Sequence, residues 1–288
     1  MLQVARLAPN LLGQASSRIV EFIQAHSNGD GGIADRAGKS DLYYTVFGLE
    51  GLVALRAPFE VGNVRAYLEG FDDGTGLDFV HAACLARCWA SLPEAGLAPE
   101  KARALAAHIE SCRCADGGYG PSPGTAHGTV YHSFLALGAY EDLGLTAPDL
   151  PGLVRCVSGL RTSDGAYANE PELPMGTTPA TAAAVTLLRK LGESVPPEAG
   201  QWLLERAHSQ GGFTAVRGID IPDLLSTATA LHALSGMHVP FDHIKESCLD
   251  FLDSLWTGKA FCGSWADDAE DCEYTYYALL ALGHLSLQ

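Results

Sequence analysis

Five carboxylates and a thiol fall within one short stretch: Asp267, Asp268, Glu270, Asp271, Cys272 and Glu273. Carboxylate oxygen and thiolate sulfur are donors for divalent metals, which makes Asp271 and Cys272 candidate ligands of a metal at a cavity mouth. The same residues have a plainer use, since acidic side chains beside a helix N-terminus accept from its free N–H groups and meet its partial positive charge. A second set opens two other helices, Asp41 with Tyr43 and Asp78 with His81. A histidine there would serve as ligand or general base near neutral pH; the alternative is a hydrogen-bonded ring beside a capping aspartate.

Both sets sit at the same point of a repeat. A glycine turn, a polar loop and an apolar helical run make up GGIADRAGKSDLYYTVFGLEGL, residues 31–52, and the same order returns five times. The turn glycines are read as Gly31, Gly74, Gly117, Gly165, Gly211 and Gly263. Each turn follows an amphipathic segment with apolar residues at steps of three and four. Each loop precedes a run that is apolar all round, as in YTYYALLALGHL, and such a helix must be buried on all sides. Repeats of this length stack, because one unit cannot bury its own apolar face. The expectation is an all-α fold, an α6/α6 toroid in one domain spanning 1–288, with repeats at about 16–57, 61–92, 101–145, 150–192, 197–237 and 243–286. Inner-helix N-termini would surround one end of a central cavity. Pro-containing connections such as LPEAGLAPE join the repeats, and no strand alternation is visible.

Composition narrows the partners. The net charge of −16 excludes an ordinary nucleic-acid binder, which needs a basic face. No apolar run approaches the length of about 18 residues required for a membrane span, and the N-terminal stretch lacks a signal-peptide core. Eight scattered cysteines read as reduced, buried thiols. Together these lead to the expectation of a cytoplasmic protein.

The stretch 31–52 resembles a repeat of the protein prenyltransferase β subunit, within the wider prenyltransferase and squalene-cyclase repeat superfamily. Gly38, Lys39, Ser40, Tyr43 and Thr45 carry the match. In that family an Asp, a Cys and a His hold zinc. The resemblance places Asp271 and Cys272 on the Asp-Gly-Cys-Tyr motif with one residue lost, and Tyr44 on the His position. If the ring closes, Tyr44 faces Asp271 and Cys272. One ring step over, Asp41, Tyr43 and His81 take the three ligand places. His127, in Thr125-Ala126-His127-Gly128, resembles a family histidine that meets a diphosphate; the plainer reading is a loop histidine bonded to a carbonyl.

The resemblance therefore implies a central funnel for an isoprenoid or other apolar ligand, with Tyr43, Tyr44, Tyr131, Trp265 and Tyr274 as its aromatic contacts. Ordinary core packing is the other reading of those rings. Thr177, Thr178, Ala180, Ser226 and Thr227 would leave the opposite side wide. It further implies zinc held by Asp271, Cys272 or Asp41, with His81 and His127 as catalytic groups in a metal-dependent transferase, and a helical partner subunit or a homodimer. The class II terpene cyclases share the fold and use an Asp-x-Asp-Asp acid, which this chain lacks; a single domain also reads as too small for such a cyclisation. The alternative function is a non-catalytic ligand- or protein-binding toroid, because Tyr44 replaces the histidine and the loop 265–270 is acidic where the family uses Arg and Lys.

Overall fold

The computed structural model describes residues 1–92 and 96–287. Part of the connection LPEAGLAPE, residues 93–95, lies outside the described residues. Two short helices, α1 (Leu2–Ala5) and α2 (Pro9–Leu12), lead into six helix pairs. The pairs are α3 (Ala15–Ala25) with α4 (Leu42–Ala54), α5 (Val61–Glu69) with α6 (Phe79–Ala90), and α7 (Pro99–Glu110) with α8 (Val130–Asp142). They continue as α9 (Leu150–Gly159) with α10 (Thr178–Lys190), α11 (Pro197–Leu204) with α12 (Leu224–Gly236), and α13 (Lys245–Ser254) with α14 (Cys272–Leu285).

Every inner helix starts on the same device. Asp41, Asp78, Thr129, Thr177, Asp223 and Asp271 occupy the N-cap, and each side chain accepts from the backbone N–H three residues on. Such a cap satisfies one of the orphan donors of the first turn, at about 1 kcal/mol apiece. A second device ties the hairpin to the helix it precedes. Ile33, Tyr119, Tyr167, Phe213 and Phe261 each donate a backbone N–H to the hydroxyl four residues past the cap, on Thr45, Ser133, Thr181, Thr227 and Thr275. Repeat two has Ala82 at that place and a shorter loop.

Each inner helix packs on its neighbours in the ring, and α14 packs on α4, so the toroid closes. Helix α1 lies against α14 and α4 at the C-terminal end of the inner ring, opposite the mouth. The apolar core fills the space between inner and outer rings, with Leu49, Leu85, Leu187, Leu231 and Leu279 fully buried.

Two features differ from the sequence expectation. Short strands decorate the mouth: β1 (Ile33–Ala34) pairs β2 (Ser40–Asp41), while β3 (Phe213–Thr214), β4 (Pro222–Asp223), β5 (Cys262–Ser264) and β6 (Asp267–Glu270) form one antiparallel sheet in that order. They are too short to show alternation. The turn glycine of repeat six is Gly258, at φ 96°, not Gly263, which has no left-handed φ. Gly263 is small for a different reason: a Cβ there would sit 2.6 Å from the Tyr274 ring.

Candidate functional site

The caps give a common register for the inner helices. Positions one and four residues past each cap are buried in all six repeats. Positions two, six and nine residues past it share the remaining face, and nearly all keep some accessible surface although helices surround them. These positions line the lumen in three tiers. At the mouth stand Tyr43, Val80, Tyr131, Pro179, Leu225 and Glu273; below them Phe47, Cys84, Leu135, Ala183, Thr229 and Tyr277; below those Glu50, Arg87, Gly138, Thr186, His232 and Leu280.

The mouth tier brings repeats six, one and three together. Tyr43 donates its phenol hydrogen to Glu273 Oε1 at 2.6 Å, across the seam where the ring closes. Its ring meets Phe47 edge-on at 4.9 Å, and Phe47 in turn lies 5.5 Å from Tyr277. Tyr131 reaches over the lumen to within electrostatic range of Tyr43, Glu273 and Tyr277. Burial pushes the Glu273 carboxyl above its usual range, an effect that the Tyr43 hydrogen bond partly offsets. Burial also raises both phenols, Tyr131 to about 12 and Tyr43 further. A carboxyl held toward its neutral form can hand on a proton, and the ring faces around it can stabilise positive charge.

The lower tier is polar. Arg87 donates from Nε to Glu50 Oε1 at 2.6 Å, and its Nη1 lies 3.7 Å from Asp142. Burial lifts the Asp142 carboxyl to about 6. His232 Nδ1 and His284 Nε2 are 3.0 Å apart, and burial holds both rings neutral, at about 3 and about 4. The small residues Pro179, Ala183, Thr186 and Thr229 put the open side of the lumen at repeats four and five. The residues expected to form that side are displaced from it: Thr178, Ala180, Ser226 and Thr227 are buried in the wall, and Thr177 is a cap.

The expected metal ligands do not converge. Among the described residues no three His, Cys, Asp or Glu side chains form a metal-binding group. Asp271 is 4% exposed, caps α14, and receives Arg36 Nε at 2.8 Å; Arg36 also binds Asp267 at 2.8 Å. Arg36 of repeat one thus pairs with two of the carboxylates ahead of α14, and Lys259 pairs with Glu270. Cys272 is 1% exposed, and burial pushes its thiol up to about 12, which opposes the thiolate that a metal needs. Asp41 caps α4 and meets His81. These donors do not fit zinc as they stand.

His81 bridges repeats one and two, with Nδ1 2.7 Å from Asp78 and Nε2 3.2 Å from Asp41. Desolvation lowers its basicity, but the two carboxylates outweigh that and leave it raised. His127 stands in an exposed loop, 3.9 Å from Asp116, away from the lumen tiers. Trp265 packs on His208 and Phe251 and donates to Ser254 on the outer helix α13, so it belongs to the rim and not to the lumen. Tyr44 and Tyr274 sit three residues past their caps, one place off the lumen register. Tyr44 stands near Asp271 and Glu273, and Tyr274 lies under the Arg36 guanidinium, 5.5 Å from its ring centre. Of the five expected aromatic contacts, Tyr43 and Tyr131 are those on the lumen face. Phe47 and Tyr277 join them there, and Glu273 stands between.

A closed double ring of helices with its open face lined this way defines a class. The chain belongs to the prenyltransferase alpha-alpha toroid domain family, whose profile matches residues 11–77, 75–174 and 180–287. No curated protein sequence matches it. Among solved structures it is similar to Candida albicans protein geranylgeranyltransferase-I complexed with GGPP, at 13% identity and TM-score 0.65, over 92% of this chain and 89% of that one. It is also similar to the type II terpene cyclase MstE from Scytonema. The R337A form with geranylgeranyl dihydroxybenzoate matches at 12% identity and TM-score 0.65, over 97% of both chains, and the apo form at 13% and 0.62, over 96% and 98%. At these identities the likeness establishes the shared fold. No helix among the described residues is long and apolar enough to cross a membrane.

Proposed function

We propose that the lumen binds an isoprenoid or similar apolar chain, entering between Tyr43 and Tyr131, with Glu273 as the acid that meets it. The carrying observation is the Tyr43–Glu273 pair at the head of the aromatic wall Phe47–Tyr277. Apolar chains bind in concave sites lined by rings with a few placed polar groups. The two similar structures carry geranylgeranyl compounds, which supports the ligand class. In this reading Glu273 acts through its proton, and no step runs through a metal.

The test uses purified protein with geranylgeranyl diphosphate and geranylgeranyl dihydroxybenzoate, following binding by calorimetry and conversion by mass spectrometry. The expected result is saturable binding of at least one compound, lost on Tyr131→Ala. If either compound is converted, Glu273→Gln should slow the conversion by about 100-fold or more while binding survives. Absence of binding by either compound would sink the proposal.

A second reading, a toroid that binds its ligand without chemistry, is favoured by the Arg36–Asp271 pair, which commits the donors that the related transferases leave for metal. Binding without conversion, unchanged in Glu273→Gln, would support it. A stoichiometric metal in the purified protein would instead revive the metal-dependent transferase.

A further inference from the structure

Eight large apolar side chains are exposed among the described residues, and five lie in the loops ahead of three successive inner helices. Leu173 and Met175 precede α10, Ile219 and Ile221 precede α12, and Trp265 precedes α14. Tyr131, exposed at the start of α8, extends the series by one repeat. Backbone contacts hold these segments side by side. Val130 N donates to Asn169 O, Thr178 N donates to Ala215 O, and β4 pairs with β5. The apolar residues therefore form an arc over the mouth from repeat three to repeat six. The mouth loops of repeats one and two, 35–40 and 72–76, carry no exposed large apolar side chain.

Carboxylates are interleaved with the arc. Glu170 and Glu172 precede Leu173 and are exposed, with no ion-pair partner among the described residues. Asp220 stands between Ile219 and Ile221, with one oxygen 3.0 Å from His208 Nε2 and 99% of its side chain still accessible. The cations of these loops are already engaged: Arg161 lies 3.5 Å from Glu198, Arg206 and Arg217 lie 3.5 and 3.7 Å from Glu205, and Lys259 pairs with Glu270. With a net charge of −16 behind it, this face repels anionic surfaces and a second copy of itself.

We propose that the apolar half of the mouth docks a basic amphipathic polypeptide segment, its apolar side chains on Met175, Ile219, Ile221 and Trp265 and its Lys or Arg side chains on Glu170, Glu172 and Asp220. Contiguous exposed apolar surface rimmed by charge marks interaction sites. Helix-in-groove recognition uses this pairing of an apolar face with flanking charge, and Met adapts to differing partners. None of the three apolar residues substituted below lines the lumen, so peptide binding and the loss of isoprenoid binding in Tyr131→Ala are read separately.

The probe is a dye-labelled peptide of about 18 residues, with leucine on one helical face and lysine on the other, followed by fluorescence anisotropy against the full chain. The expected result is binding that weakens with salt and falls at least about tenfold in the triple variant Met175→Ser, Ile219→Ser, Ile221→Ser. The charge variant Glu170→Gln, Glu172→Gln, Asp220→Asn should weaken it and flatten the salt dependence. All six side chains are exposed, and a circular-dichroism melt checks that the variants fold. Equal binding to wild type and the apolar variant would mean bulk charge attraction and overturn the proposal, as would no binding at all. Flotation with zwitterionic lipid vesicles, lost in the apolar variant, would assign the arc to a lipid surface instead; a dimer in solution that protects these loops from hydrogen exchange would assign it to self-association.

Discussion

His81 has one partner beside it in sequence, Asp78, and another, Asp41, on the neighbouring repeat. The sequence offers a histidine among aspartates, a combination that serves bases and ligands alike. The structure places it between Asp78 and Asp41, which raise its affinity for the proton. The consequence is testable by NMR: the His81 ring should titrate above the ordinary 6.5, and Asp41→Asn should lower that value. The sign for stability follows from linkage. A folded-state value above the unfolded one means the contribution is fully present below the unfolded value and is lost as pH rises through the folded one. Wild type should therefore lose more stability than Asp41→Asn as pH rises from 6.5 through the folded-state value. Asp271 teaches the same lesson. Its neighbour in sequence, Cys272, hinted at metal, whereas its partner Arg36 is 235 positions away and leaves no local trace.

The elements were legible where periodicity carries phase. Outer helices have an apolar stripe, and glycine turns punctuate them. Inner helices are apolar all round, so the pattern announces burial but not which side faces the lumen. That is why the sequence points Tyr44 and Tyr274 inward along with Tyr43, and leaves the inward place of Glu273 unmarked. A usable signal existed: the Ser or Thr four residues past five of the six caps, at Thr45, Ser133, Thr181, Thr227 and Thr275, fixes the buried side and so the register. The turn glycines act at the same scale. Gly211 has φ 95°, and a Cβ on it would lie 1.8 Å from the carbonyl oxygen of Ser247, on the outer helix of the next repeat. Gly211→Ala should cost on the order of 3 kcal/mol, read as a fall in the urea midpoint with an unchanged slope. An unaffected midpoint would mean that the outer helix can retreat.

At the scale of the whole ring, the joints between repeats are unlike one another. Repeats three to six are stitched by backbone, through Val130–Asn169, Thr178–Ala215 and the β4–β5 pair. Repeats six, one and two are joined at the mouth by side chains: Arg36 to Asp267 and Asp271, Tyr43 to Glu273, His81 to Asp41. Ion pairs with exposed members weaken in salt, and backbone bonds do so far less. Native-state hydrogen exchange should find the first turns of α14 and α4 opening before those of α10 and α12, with the gap widening at high salt and in Arg36→Ala. Uniform protection around the mouth would show that the side-chain joints hold as firmly as the others.

Closure has one more consequence. Gly283 near the end of α14 touches the backbone of Val4, so the two ends of the described chain meet beneath the inner ring. No packing contact then depends on which repeat is made first. A gene rearranged to begin at repeat four, with the old ends spliced by a brief linker, would encode the same barrel, and the order of synthesis could be varied while the finished shape stays fixed.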